Sequence, residues 1–296
     1  VALVSGCASL LFFPQKELLI TPKRLELDYR DVSFASADGT PLHGWFLPAK
    51  GTAKGTVVFF HGNAENISTH IGSVFWMPAR GYNVFLFDYR GFGRSGGKPN
   101  LSGANADGAA AIETARTLEG VDRSRLVVFG QSIGGAIAVR ALAEAGTDGV
   151  RALVLESAPS SYRRIAREKL AGFFLTWPFQ WPLSFLMPDG DSAERWIGRL
   201  APVPVLIIHG DADPVVPFGH ALRLYAAAGE PKWFWRVEGG GHIEAFGRFA
   251  DPYRDRLIAF LDAAVAGRAL PAAPEDAARA GRGAFRMVYW RGARAG

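Results

Sequence analysis

Residues 126–136 read Leu126-Val127-Val128-Phe129-Gly130-Gln131-Ser132-Ile133-Gly134-Gly135-Ala136. Four apolar residues run into a Gly-X-Ser-X-Gly turn, and apolar residues at helical spacing follow through Ala145. A strand that turns sharply into a helix needs small residues on both sides of the turn, and Gly130 and Gly134 supply them. Ser132 would then sit at the tip with its hydroxyl pushed outward. The pentapeptide alone is ambiguous, because serine is also a favoured N-cap and small residues at such a turn often serve close packing only. Whether Ser132 is a nucleophile or a cap is decided by the rest of the chain.

On the N-terminal side, Asp38-Gly39 separates the apolar-alternating segments 31–34 and 42–47, which predicts a hairpin with a tight turn. The rhythm then changes. Short β-branched or aromatic runs at 56–60, 82–87, 126–129 and 153–155 alternate with helical patterns at 67–80, 101–119 and 133–145. Runs at 205–208 and 233–237, with helices at 218–228 and 245–266, continue the series. A hairpin followed by strand–helix repeats predicts an α/β fold with a mostly parallel central sheet flanked by helices. The segment 160–200 breaks the rhythm. It carries Phe173, Phe174, Trp177, Phe179, Trp181, Phe185 and Trp196, interrupted by Pro178, Pro182 and Pro188. Part of it is a crossover helix, and the remainder predicts a small aromatic-rich cap inserted over about residues 158–200, where loops at strand carboxyl ends carry sites.

The ends of the chain differ from this body. The net charge of +5 is concentrated after position 267, where six arginines stand against Glu275 and Asp276. The body is close to neutral, which argues against a nucleic-acid partner, since that needs a basic face on the folded domain. The Ala/Arg/Gly-rich segment 267–296 has the composition of a disordered tail, and no role is assigned to its apolar stretch 285–290. The single cysteine, Cys7, excludes an intramolecular disulfide. Leu3-Val4-Ser5-Gly6-Cys7 resembles a bacterial lipobox. It predicts lipid attachment at Cys7 in an anchor segment 1–16, and a site on the periplasmic or outer face of a bacterial membrane. The alternative for Cys7 is a buried thiol on an apolar N-terminal segment, in a cytoplasmic protein.

Acyl transfer by a serine needs a base, a group that orients the base, and donors for the oxyanion. The run 205–208 leads into His209-Gly210-Asp211-Ala212-Asp213, and the run 233–237 leads into Glu238-Gly239-Gly240-Gly241-His242. A carboxylate and then a histidine therefore end the two late strands, in the order Ser, Asp, His. Asp211 and Asp213 compete for the orienting role; we assign it to Asp213 and leave Asp211 to organise the loop. The run 56–60 leads into His61-Gly62-Asn63-Ala64-Glu65-Asn66, whose backbone N–H at Asn63 is placed to join that of Ile133 as oxyanion donors. His61 reads as a loop anchor rather than a base.

The segments HGNAENIS, FDYRGFGRSGG, FGQSIGG, HGDADPVVP and GGGHIE, in that order, resemble the α/β-hydrolase superfamily and its BEM46-like (ABHD13/ABHD17-like) serine hydrolases over about residues 17–266. The resemblance implies Ser132 as nucleophile, His242 as general base and acid, Asp213 as orienting acid, and Asn63 and Ile133 as oxyanion donors. It implies no cofactor or metal, and it makes Asp88–Gly93 a wall of the pocket. The expected reaction is hydrolysis of carboxylic esters or thioesters of a small-molecule or lipid acyl substrate. A serine peptidase is the nearest alternative. A non-catalytic envelope lipoprotein that binds an acyl chain or a partner through its cap is the alternative of another class.

Overall fold

The computed structural model describes residues 12–172 and 174–271. The lipobox-like segment with Cys7 and the residues from 272 onward lie outside the described residues. The strands are β1 (Arg30–Ala35), β2 (Pro41–Leu47), β3 (Gly55–Phe60), β4 (Tyr82–Asp88), β5 (Leu126–Gln131), β6 (Val150–Glu156), β7 (Val205–Gly210) and β8 (Lys232–Val237). They form one sheet in the order β1-β2-β4-β3-β5-β6-β7-β8. β1 and β2 pair antiparallel, as the Asp-Gly turn predicts, and β2 pairs antiparallel with β4. All later pairs are parallel. The carboxyl ends of β3 to β8 therefore share one edge, and β5 lies at its middle. This is the α/β arrangement expected from the sequence.

The inner strands are apolar throughout because both faces of the sheet are covered. Val58, Phe60, Val128 and Ile207 point to one side, onto Ile112 of α2 (Leu101–Thr117), Ile137 and Leu142 of α3 (Ile133–Ala145) and Leu224 of α7 (Gly219–Ala227). Their neighbours Val57, Phe59, Val127 and Ile208 point to the other side, onto Ile67 of α1 (Ile67–His70) and Leu257, Phe260 and Leu261 of α8 (Ala250–Val265).

Two predicted helices are shorter than the sequence pattern suggests. The segment 67–80 is one short helix, α1, followed by separate 3₁₀ turns at Ile71–Ser73 and Pro78–Arg80. Ile67, Ile71 and Val74 keep helical spacing and are buried, but Gly72 weakens the helix and Pro78 cannot continue it. α8 begins at Ala250, not at 245. A start at 245 would put Pro252 in the helix interior, where its missing N–H breaks the ladder, whereas in the first turn it costs nothing.

The excursion between β6 and β7 has two parts. α6 (Ala193–Trp196) and the 3₁₀ turn Ile197–Leu200 bury Ala193, Ile197 and Leu200 in the core beside α3. The part that stands outside the core is α4 (Tyr162–Ala171) with α5 (Gln180–Ser184). It is tied down at its base: Glu168 accepts from His220 Nε2 at 2.9 Å, and Lys169 Nζ donates to Pro214 O at 3.2 Å. The segment 12–19 also crosses the carboxyl edge. Phe13 N–H donates to Asn63 Oδ1, Gln15 N–H to Glu65 O, and Asn66 Nδ2 to the carbonyls of Gln15 and Glu17.

Candidate active site

Ser132 stands between β5 and α3 with φ 52° and ψ −130°. This is a left-handed conformation that a non-glycine residue holds only when its surroundings dictate it. Two backbone bonds fix it: Ser132 N–H donates to Glu156 O, and Gly135 N–H donates to Ser132 O, both at 2.9 Å. The turn is closed so tightly that a Cβ on Gly134 would lie 2.2 Å from His61 O and 2.4 Å from Phe60 O. Both obstacles are backbone, so nothing larger than glycine fits there.

His242 reaches this hydroxyl from the turn after β8. Ser132 Oγ–H donates to His242 Nε2 at 3.0 Å, and His242 Nδ1–H donates to Asp213 Oδ2 at 2.8 Å. Asp213 is in turn held by the Val215 and Val216 N–H groups, which donate to its Oδ1 at 2.8 and 2.9 Å. Burial pushes the Asp213 carboxyl upward. The hydrogen bond and charge of His242 and the two backbone donors outweigh it, and its pKa falls below the usual carboxylate range. A carboxylate that stays ionised fixes the proton on Nδ1 and leaves Nε2 as the acceptor facing Ser132.

Asp211 is elsewhere. It accepts from Arg236 Nε and Gly239 N–H, both at 2.7 Å, and so joins the loop after β7 to the end of β8 without touching His242. Asn63 lies in the loop after β3, whose neighbour Gly62 approaches Ser132 so closely that a Cβ there would be 3.3 Å from Ser132 Cβ. Ile133 is the first residue of α3. Among the described residues neither backbone N–H, at Asn63 or at Ile133, has an acceptor. His61 is fully buried, packs on Tyr89 at 4.6 Å and accepts a bond from Tyr89 Oη at its carbonyl. Burial first, then repulsion from His70, keeps it neutral. In the segment 88–93, at the end of β4, Arg90 is clamped by buried Asp107 of α2. Among the described residues no three His, Cys, Asp or Glu side chains converge as a metal centre requires.

Sequence reasoning missed Glu156. This carboxyl ends β6 fully buried, accepting from Gln131 Nε2 at 2.6 Å and from Ala245 N–H at 3.0 Å. It links the residue before Ser132 to the turn that carries His242. The next residue, Ser157, accepts the Ile243 N–H, and both residues have positive φ. The available signal was a single acidic residue closing an otherwise apolar inner strand. Burial pushes the Glu156 carboxyl from 4.5 up to about 7, with Asp213 adding repulsion and the two hydrogen bonds opposing. The folded protein then holds a proton that the unfolded chain has lost. The associated stability is complete below about pH 4.5 and is lost as pH rises through about 7, a change of about 3 kcal/mol. In Glu156→Gln the new amide can donate to Gln131 Oε1, which has no partner among the described residues, and still accept from Ala245. This variant is expected to fold, to keep activity, and to lose that part of the pH dependence of unfolding between about pH 4.5 and about pH 7 in urea titrations. An unchanged slope would refute the assignment.

The chain matches the Hydrolase_4 family, described as serine aminopeptidase, S33, over residues 51–189. It is 40% identical over 235 residues to protein YfhR of Escherichia coli (strain K12), covering 78% of this chain and 79% of that one. It is 33% identical over 282 residues to the alpha/beta hydrolase domain-containing protein WAV2 of Arabidopsis thaliana, covering 88% and 91%. Protein bem46 of Schizosaccharomyces pombe is 29% identical over 231 residues, covering 74% and 73%. The fold is also that of the Pyrococcus furiosus esterase Pf2001, with a TM-score of 0.69 at 22% identity over 86% of this chain and 98% of that one. With the sheet order, the turn at Ser132 and these relatives in agreement, the chain belongs to the BEM46-like α/β-hydrolase family.

Proposed function

We propose that the protein is a serine hydrolase that cleaves carboxylic ester or thioester bonds through an acyl-enzyme. The observation that carries this reading is the unbroken hydrogen-bonded chain from Ser132 through His242 to Asp213, mounted on a strained turn. His242 Nε2 takes the Ser132 proton as Oγ attacks the carbonyl carbon, and Asp213 stabilises the resulting imidazolium. The carbonyl oxygen, now negative, is met by the N–H groups of Asn63 and Ile133, each contributing about 3 kcal/mol to the barrier reduction. As the tetrahedral intermediate collapses, the bond to the leaving alcohol or thiol breaks and His242 returns the proton to it. Water then attacks the acyl-Ser132 ester by the same route, giving the acid and free serine.

A peptidase reading draws on the family's description as serine aminopeptidases and on Arg163, Arg164 and Arg167 at the base of the cap. Two measurements test the proposal. A fluorophosphonate probe is expected to label the folded protein at Ser132 and to leave Ser132→Ala unlabelled; a folded but unlabelled wild type removes the enzyme reading. Hydrolysis of p-nitrophenyl esters across a chain-length series is expected to proceed, and turnover confined to aminoacyl amides would select the peptidase.

A further inference from the structure

The part of the cap outside the core exposes an apolar surface that the proposed chemistry does not use. Phe174, Leu175, Trp177, Phe179, Trp181 and Phe185 are each 56–88% exposed. Large aromatic side chains gathered this way on one short segment are a costly surface to leave in water, and such patches mark interaction sites. The charges around them are one-sided. From 169 to 188 the chain has no acidic residue, while α4 and its end carry Arg163, Arg164, Arg167 and Lys169. None of these four cations is in an ion pair among the described residues. Two of them lie over the exposed rings: the Arg167 guanidinium is 4.3 Å from the centre of Trp181, and that of Arg163 is 5.2 Å from Phe185. The flanking carboxylates are turned inward. Glu168 is bound to His220, and Asp189 accepts from the Ser161 and Ser192 hydroxyls and the Arg163 N–H.

Tryptophan and phenylalanine at the level of unpaired arginines form the composition of a surface lying in a lipid–water interface, with rings among the acyl chains and guanidinium groups at the phosphates. No described helix is long and apolar enough to cross a membrane, which leaves the surface to lie on one. The topology gives this surface a direction. The cap leaves the carboxyl end of β6, and Phe13, 65% exposed, is tied to Asn63 at the carboxyl end of β3. In the sheet β5 lies between them, so exposed apolar groups flank the Ser132 edge on both sides.

We infer that the cap, through its exposed aromatic residues and the unpaired cations of α4, docks on an anionic phospholipid bilayer with the Ser132 edge toward the membrane. Lipid at Cys7 is not needed, and neither is a working Ser132. The test is flotation of the full chain carrying Cys7→Ser with vesicles of pure phosphatidylcholine and vesicles of phosphatidylcholine and phosphatidylglycerol in equal parts. Binding is expected to be stronger to the anionic vesicles and to fall with added salt. Arg164→Gln with Arg167→Gln is expected to weaken anionic binding by about 10- to 30-fold, from about 1 kcal/mol per cation near the surface. The triple variant Phe174→Ser, Trp177→Ser, Trp181→Ser is expected to lose binding to both vesicle types with an unchanged melting temperature. Ser132→Ala is expected to bind like its parent, so loss of hydrolytic function and loss of docking remain distinguishable. Equal binding to both vesicle types, or none, would overturn the proposal. So would a dimer in sedimentation that the triple variant dissolves, with no vesicle binding, since the face would then belong to a second copy.

Discussion

Ser132→Ala is expected to lower kcat for ester hydrolysis by about a million-fold, His242→Ala by a similar factor, and the double variant no further. The reason is that the two side chains act on one proton. Ser132 Oγ lies 3.0 Å from His242 Nε2. Without the imidazole the hydroxyl has no base at neutral pH, and without the hydroxyl the imidazole has nothing to activate except stray water. Either loss removes the whole covalent path, so the effects do not add. What survives is the stabilisation given by the proposed oxyanion donors at Asn63 and Ile133, which neither substitution touches. Stability serves as the control. The backbone bonds from Ser132 N–H to Glu156 O and from Gly135 N–H to Ser132 O remain in Ser132→Ala, and alanine inherits the same φ of 52°. Melting temperatures close to wild type are therefore expected. A Ser132→Ala protein that keeps more than about one per cent of the activity, or a double variant far worse than either single, would remove the shared-proton mechanism.

How far the sequence reached depends on which physics wrote the pattern. The inner strands were legible because a sheet covered on both faces demands unbroken apolar runs, and Val57–Phe60 or Leu206–Ile208 admit few other readings. Ser132, Asp213 and His242 were legible as positions because each follows such a run, and the parallel order brings the ends of those runs to one edge. The segment 67–80 misled because Ile67, Ile71 and Val74 keep helical spacing, although Gly72 and Pro78 divide it; burial periodicity survives a broken helix. Glu156 was invisible for a different reason. Its role comes from Gln131 and Ala245, 25 and 89 positions away, and no local pattern records a contact of that range. The cap was legible as aromatic. Its exposure was not, because Trp177 and Trp181 read the same in sequence whether they face a core or water.

The second large effect falls on Asp213 and separates it from Asp211. In Asp213→Asn the Val215 and Val216 N–H groups still require an acceptor at the Oδ1 position, where they now donate at 2.8 and 2.9 Å. The amide oxygen must take that place, which puts the NH₂ group where Oδ2 accepts from His242 Nδ1 at 2.8 Å. An NH₂ there can only donate, so Nδ1 must become the acceptor and the ring proton moves to Nε2. Nε2 then faces Ser132 as a donor and can no longer take its proton. A loss in kcat of about 10,000-fold is expected, with the turn intact because both of its backbone bonds are kept. Asp211→Asn carries no such consequence, since the partners of its carboxylate are Arg236 and Gly239 and not His242. It is expected to change activity by no more than a few-fold, because the new amide oxygen can still accept from this loop and nothing in the Ser132–His242–Asp213 chain bonds to it. Rates measured on the two variants side by side with a short p-nitrophenyl ester decide the matter. If Asp211→Asn proves the more damaging, the orienting carboxylate has been assigned to the wrong residue, and the tautomer argument for Asp213 fails with it.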